Sequence, residues 1–110
     1  MAKDFIDVVK RRYIERVPID KILYVERNKR KVRIVTTDQT HEFYTTMEEV
    51  VEKLDNRFYL CLKYCAINFE RVTKMEDQVI YFDTGDTYLL GKDNYGRTKQ
   101  RYYAYIKHII

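Results

Sequence analysis

ILYVERNKRKVRIVTT, residues 22–37, is the stretch on which the fold class turns. Its two halves, 22–28 and 31–37, are rich in β-branched and aromatic residues and alternate with period two, which predicts two strands. Asn28 to Arg30 forms the tip of the hairpin between them. In the second strand Val32, Ile34 and Thr36 are expected on one face, with Lys31, Arg33 and Val35 on the other.

Strands continue in both directions from this hairpin. Upstream, FIDVV at 5–9 and YIERV at 13–17 read as two short strands joined through Lys10, Arg11 and Arg12. Pro18 ends the second, because it has no N–H for a ladder, and a single helical turn is expected over 19–22. Downstream, Asp38-Gln39 turns the chain into a strand at 40–44. Thr46 is expected to cap a helix over 47–54, with Glu49 completing a capping box. Met47, Val50, Val51 and Leu54 make its apolar stripe, while Glu48, Glu49 and Glu52 face water near its positive end. FYLCL at 58–62 is a strand. Residues 63–70 mix a polar loop with a buried CAINF run and receive no assignment. Strands at 71–75, 78–83 and 87–90 follow, the last two joined by Thr84-Gly85-Asp86. A C-terminal helix is expected over 93–108, capped by Asp93 or Asn94, with Tyr95, Tyr102 and Ile106 on one side. No internal repeat is present, and the βαβ alternation of nucleotide-binding folds is missing.

The expected fold is therefore mainly β, and 110 residues suit a single domain spanning 1–110. Hydrophobic residues make up 45% of the chain, enough for a core without metal or disulfide support. The 11 Tyr suit half-buried strands, where the ring packs and the hydroxyl reaches water. Cys61 and Cys65 have no second Cys pair or nearby His to complete the roughly four ligands of a zinc site; a local disulfide is less favoured than two reduced, packed thiols. No cofactor or metal is expected. No apolar run spans a membrane and no signal peptide opens the chain, so a cytoplasmic protein is expected.

The net charge of +4 matters less than its distribution. Residues 21–40 carry six basic and two acidic side chains, whereas 41–60 carry two basic and five acidic. This polarity fits a molecule that meets phosphates on one face. Arg27, Lys29, Arg30, Lys31 and Arg33 crowd one hairpin, either as a solvated tip or as the surface for an anionic partner. Arg97, Lys99, Arg101 and Lys107 interleave with Tyr95, Tyr102, Tyr103 and Tyr105, a pattern that serves nucleic-acid contact or packing on the domain body. No Gly-rich phosphate loop, nucleophile elbow or zinc-protease motif is present. The reading is of a non-enzyme with no small-molecule substrate.

From Pro18 onwards the chain resembles the LytTR domain, the DNA-binding module of bacterial transcription regulators. Ile19-Asp20-Lys21-Ile22-Leu23-Tyr24-Val25-Glu26 is similar to the family's opening phrase before a polar hairpin. Phe43-Tyr44, the helix from Met47 to Leu54 and Asn56-Arg57-Phe58-Tyr59 match its next segment. Ala66-Ile67-Asn68 followed by Val72 matches its "VN" motif, and Leu90-Gly91-Lys92 stands where the family has Val-Ser-Arg. The resemblance implies an elongated antiparallel β sandwich of short strands, with one short connecting helix and a C-terminal helix. It also implies double-stranded DNA as partner, with loops entering successive major grooves, often at direct repeats. A homodimer on DNA is left open. By that resemblance the DNA-facing positions are Lys29, Arg30 and Lys31 in the hairpin, Lys63 and Tyr64 with Leu62 after FYLCL, and Lys92 with Asn94 and Arg97 near the final helix.

Departures from the family pattern fall at these loops. Leu62 and Tyr64 stand in place of His and Ser, and Gly91-Lys92-Asp93 in place of Ser-Arg and a basic residue. A lysine is a point charge where arginine grips guanine with two parallel bonds. The alternative is thus a module that keeps the fold and binds protein instead. Asn68 is expected to be structural, fixing a loop through backbone hydrogen bonds. A chain of this length leaves no room for the receiver domain of a response regulator, so it reads as a stand-alone regulator or a piece of a longer one.

Overall fold

A computed structural model describes residues 4–108. Ten strands and two helices follow one another: β1 Phe5–Val9, β2 Ile14–Pro18, β3 Ile22–Asn28, β4 Lys31–Thr36, β5 Thr40–Tyr44, α1 Met47–Val51, β6 Phe58–Leu62, β7 Cys65–Asn68, β8 Val72–Glu76, β9 Val79–Phe82, β10 Thr87–Leu89 and α2 Lys92–Ile106. Short 3-10 turns at Ile19–Lys21 and Phe69–Arg71 lead into β3 and β8. The strands form three antiparallel sheets: a β1–β2 hairpin, a five-stranded sheet in the order β5-β4-β3-β7-β6, and a three-stranded sheet in the order β10-β9-β8. The whole measures 41 × 32 × 25 Å. The expected mainly β architecture is the observed one.

The five-stranded sheet is the middle layer, and each of its faces has its own core. On one face Val25, Val32, Ile34, Phe43 and Ala66 pack beneath Ile6, Val8 and Val17 of the first hairpin and Val50 of α1. On the other, Val35, Cys61, Cys65 and Ile67 pack beneath Phe69, Val72, Ile80, Phe82 and Leu90, with Tyr95, Tyr102 and Tyr105 of α2 closing the edge. Val32 and Ile34 face the first core and Val35 the second, as the alternation predicts. A fully buried aliphatic side chain contributes about 1.5–3 kcal/mol, so both layers are needed to hold the sheet.

One irregularity makes this double packing work. Ile22 and Val25 belong to the same core although residues three apart in a regular strand face opposite sides. Ile22 opposes Thr36 and Tyr24 opposes Val35, so Leu23 is the extra residue of a bulge. It shifts the parity, sending Leu23 and Tyr24 to the second core. Cys61 is the extra residue of a like bulge in β6, and its thiol donates to the Cys65 carbonyl at 3.6 Å. Both cysteines are free and buried, as expected.

Elsewhere the structure differs from the sequence reading. The unassigned run 63–70 contains β7, which lies between β3 and β6 and is buried at every position. A strand covered on both faces shows no alternation, so period two could not mark it. The first helix is α1 with one irregular turn after it, shorter than 47–54. Thr46 does cap it, accepting from Glu49 N–H at 3.1 Å. The Glu49 carboxylate, however, accepts from the Thr45 and Thr46 hydroxyls at 3.2 and 3.3 Å, so the reciprocal half of a capping box is replaced by side-chain bonds. The final helix begins one residue before the expected 93 and ends at Ile106, and Gly91 rather than Asp93 or Asn94 occupies its cap position. Tyr95 and Tyr102 pack inward as expected, but Ile106 is exposed, and Tyr105 takes the inward place.

Thr98 sits fully buried on the inner face of α2, and its hydroxyl has no hydrogen-bond partner among the described residues. Thr98→Val keeps the shape and removes the unpaired group. It is expected to raise stability by about 1 kcal/mol, read as a higher urea midpoint with an unchanged m-value.

Candidate nucleic-acid interface

Antiparallel pairing decides which turns share an end of the sheet. Asn28 opposes Lys31, so the two-residue turn Lys29-Arg30 caps β3 and β4. Glu26 opposes Cys65, so the turn Lys63-Tyr64 lies against the next residue of β3. Arg27 N–H donates to the Tyr64 carbonyl at 2.9 Å, and the Arg27 guanidinium lies 5.7 Å from the centre of the Tyr64 ring. Two of the three expected DNA-facing positions are therefore neighbours at one end of the middle sheet.

Their side chains are held in distinct ways. Lys29 and Arg30 are exposed in the turn. Lys29 has φ 61°, a left-handed conformation that costs a non-glycine residue roughly 1–2 kcal/mol. Lys31 lies over the exposed Tyr44 ring, its Nζ 4.9 Å from the centroid. Lys63 is exposed, and with Arg27, Tyr64, Met47 and Glu48 it lines one surface depression.

Arg33 does not belong to this free charge. Its guanidinium contacts Glu26 at 3.1 Å and Glu42 at 3.5 Å, the residues opposite it on β3 and β5. Glu42 also accepts from the Asn28 amide at 2.6 Å. That bond, followed by the charges of Arg33 and Lys31, holds the Glu42 carboxyl below the usual carboxylate range. Of the five cations crowding the hairpin, Arg33 is thus paired within the sheet rather than free at the tip.

The third position lies on α2. Lys92, expected in a turn before the helix, is its first residue, and Asn94 and Arg97 follow in its first two turns. At about 100° per residue, Asn94 and Arg97 share a helix face while Lys92 points roughly 140° away from Arg97. Asn94 Oδ1 accepts from Arg97 Nη2 at 2.6 Å. The start of α2 adjoins the β8–β9 turn, where the Gln78 amide donates to the Leu90 carbonyl at 2.9 Å. Burial raises the Tyr95 pKa, and the carboxylates of Asp77 and Glu76 push it further.

One part of the surface was missed by sequence reasoning. Lys10 and Arg11, at the tip of the β1–β2 hairpin, line a depression with Lys31, Phe43 and Tyr44. The signal was a run of three cations, read only as a turn.

Among the described residues no group of His, Cys, Asp and Glu is placed to hold a metal ion. His41 is buried, with Nδ1 4.0 Å from Glu15 Oε1. No helix among the described residues is long and apolar enough to cross a membrane.

The LytTr DNA-binding domain family matches residues 12–103. Among solved structures, the chain is similar to a Bacillus cereus domain described as the LytTr DNA-binding domain of a methyl-accepting/DNA response regulator. The TM-score is 0.75 at 14% identity, covering 91% of this chain and 96% of that one, which is a likeness of fold. No curated protein matches the chain.

Proposed function

The chain belongs to the LytTr DNA-binding domain family, a family of transcription regulators, and from that premise we propose that it is a sequence-specific transcriptional regulator acting as one domain over residues 1–110. The turns Lys29–Lys31 and Lys63–Tyr64 enter the major groove, and Lys92, with Asn94 and Arg97, meets the duplex further along, at direct repeats. The observation that carries this reading is the shared sheet end, where two cationic turns separated widely in sequence stand side by side. Cytoplasmic action follows from the DNA partner. A second copy on an adjacent repeat is compatible with it.

The exposed lysines here are point charges, suited to phosphate oxygens and to guanine acceptors alike. Selection of bound sequences from a random duplex pool tests the reading: a recurring motif is expected, in tandem if repeats are used. No enriched motif, together with capture of a protein partner by the same two turns, would favour the protein-binding alternative. Lys63→Ala and Lys92→Ala then separate roles. A base-reading lysine should relax the motif at one position and cost about 1–3 kcal/mol there, whereas a phosphate anchor weakens all duplexes equally.

A further inference from the structure

We propose that the β1–β2 hairpin tip, Lys10-Arg11-Arg12, is a second DNA-backbone contact that extends the interface along phosphates without reading bases. The inference rests on the DNA-binding reading above and adds a surface that reading does not use. Three consecutive cations stand exposed at a tight tip. Among the described residues none of them is within ion-pair distance of a carboxylate, in contrast to Arg33 and to Arg16, which contacts Asp7 at 3.1 Å further down the same hairpin. Mutual repulsion at such a tip is relieved by a polyanion.

Placement gives this charge its direction. Lys10 and Arg11 line a depression together with Lys31, Glu42 and Tyr44, and the same last three residues line the adjoining one with Asn28, Lys29 and Arg30. Glu42 is already held by Arg33 and Asn28, so Lys31 links the β1–β2 tip across β4 and β5 to the Lys29–Arg30 turn. The long axis of 41 Å exceeds one helical turn of B-DNA, about 34–36 Å, so separate elements can reach separate backbone segments. Cations on flexible stems suit phosphates, whereas guanine reading by Arg11 or Arg12 would confine the contact to one sequence. The family match begins at residue 12, so β1, Lys10 and Arg11 lie outside what the family comparison covers.

The test uses the full chain and two duplexes, one carrying the selected motif and one of scrambled sequence. Lys10→Gln, Arg11→Gln and Arg12→Gln are combined, and affinity is measured across salt concentrations. With two of the three cations on phosphates at once, the slope of log affinity against log salt falls by about 2, and binding at about 0.15 M salt weakens roughly 30-fold. Both duplexes lose the same factor. A second variant, Arg11→Lys with Arg12→Lys, keeps the charge and retains the slope. The thermal midpoint of each variant confirms folding, since the tip lies outside both cores. An unchanged slope in the glutamine variant overturns the inference while leaving the parent reading intact. A loss confined to the selected duplex also overturns it, since that marks base reading. Failure of the unaltered protein to bind either duplex removes the parent reading and this inference together.

Discussion

Combining Lys29→Gly, Arg30→Ser and Lys31→Ser is expected to weaken binding to the selected duplex about 100-fold at roughly 0.15 M salt. Each cation on a phosphate contributes about 0.9 to the slope of log affinity against log salt, so three together lower it by nearly 3. Lys29 occupies a left-handed conformation that glycine adopts without strain, so this replacement relieves backbone cost as it removes charge. Thermal stability should hold or rise while affinity collapses, and the two readouts moving apart exclude unfolding as the cause. Arg33→Ala provides the contrast. Its charge is already spent on Glu26 and Glu42, so its removal should cost stability and leave the salt slope nearly unchanged. If Arg33→Ala lowered the slope as much as the turn variant does, the partition between free and neutralised charge proposed here would be wrong.

That partition shows what sequence can and cannot resolve. The hairpin of β3 and β4 was legible because alternation and a polar tip occupy contiguous residues. The facing of Arg33 and Glu26 came only with the register, which sets a two-residue turn at Lys29-Arg30. The second acid, Glu42, needed the pairing of β4 with β5 as well. Charge counted by window therefore overstated the free cations. β7 was illegible for a different reason. Cys65-Ala66-Ile67-Asn68 is buried on both faces, and a four-residue run without alternation carries no period. The start of α2 misled because Asp93 and Asn94 are good caps by residue type, yet the chain enters the helix at Gly91 with no side-chain cap. The β1–β2 tip was legible as a turn but not as a neighbour of Lys31, since only the packing of β1 near β5 brings them together. Local patterns reported most local structure, helix ends apart, while the free charge and the neighbours of the β1–β2 tip depended on residues distant in sequence.

Asn68→Ala is expected to destabilise the domain by about 3 kcal/mol, although the side chain it removes is small. Asn68 is fully buried at the end of β7. Its amide donates to the Ile22 carbonyl at 2.8 Å, and its carbonyl accepts from Glu70 N–H at 2.9 Å. The first bond ties β7 to the bulged start of β3. The second shapes the Phe69–Arg71 turn that carries the chain to β8. Alanine leaves both backbone groups without a partner, and unmet buried groups cost more than a hydrogen bond gains. For a domain of this size the midpoint of thermal unfolding should fall by more than about 10 °C. Asn68→Asp supplies the sharper test. An ionised carboxylate keeps the bond from Glu70 N–H but sets an acceptor against the Ile22 carbonyl, and burial further disfavours its charge. The folded-state pKa of that aspartate is therefore raised above about 3.9, its unfolded value. A native state that holds the proton more tightly than the unfolded one gains stability as pH falls towards that value and loses it as pH rises. Asn68→Asp should thus recover stability relative to Asn68→Ala between neutral pH and about pH 4. A role for Asn68 on DNA makes the opposite forecast: both variants would keep their midpoints and lose only affinity.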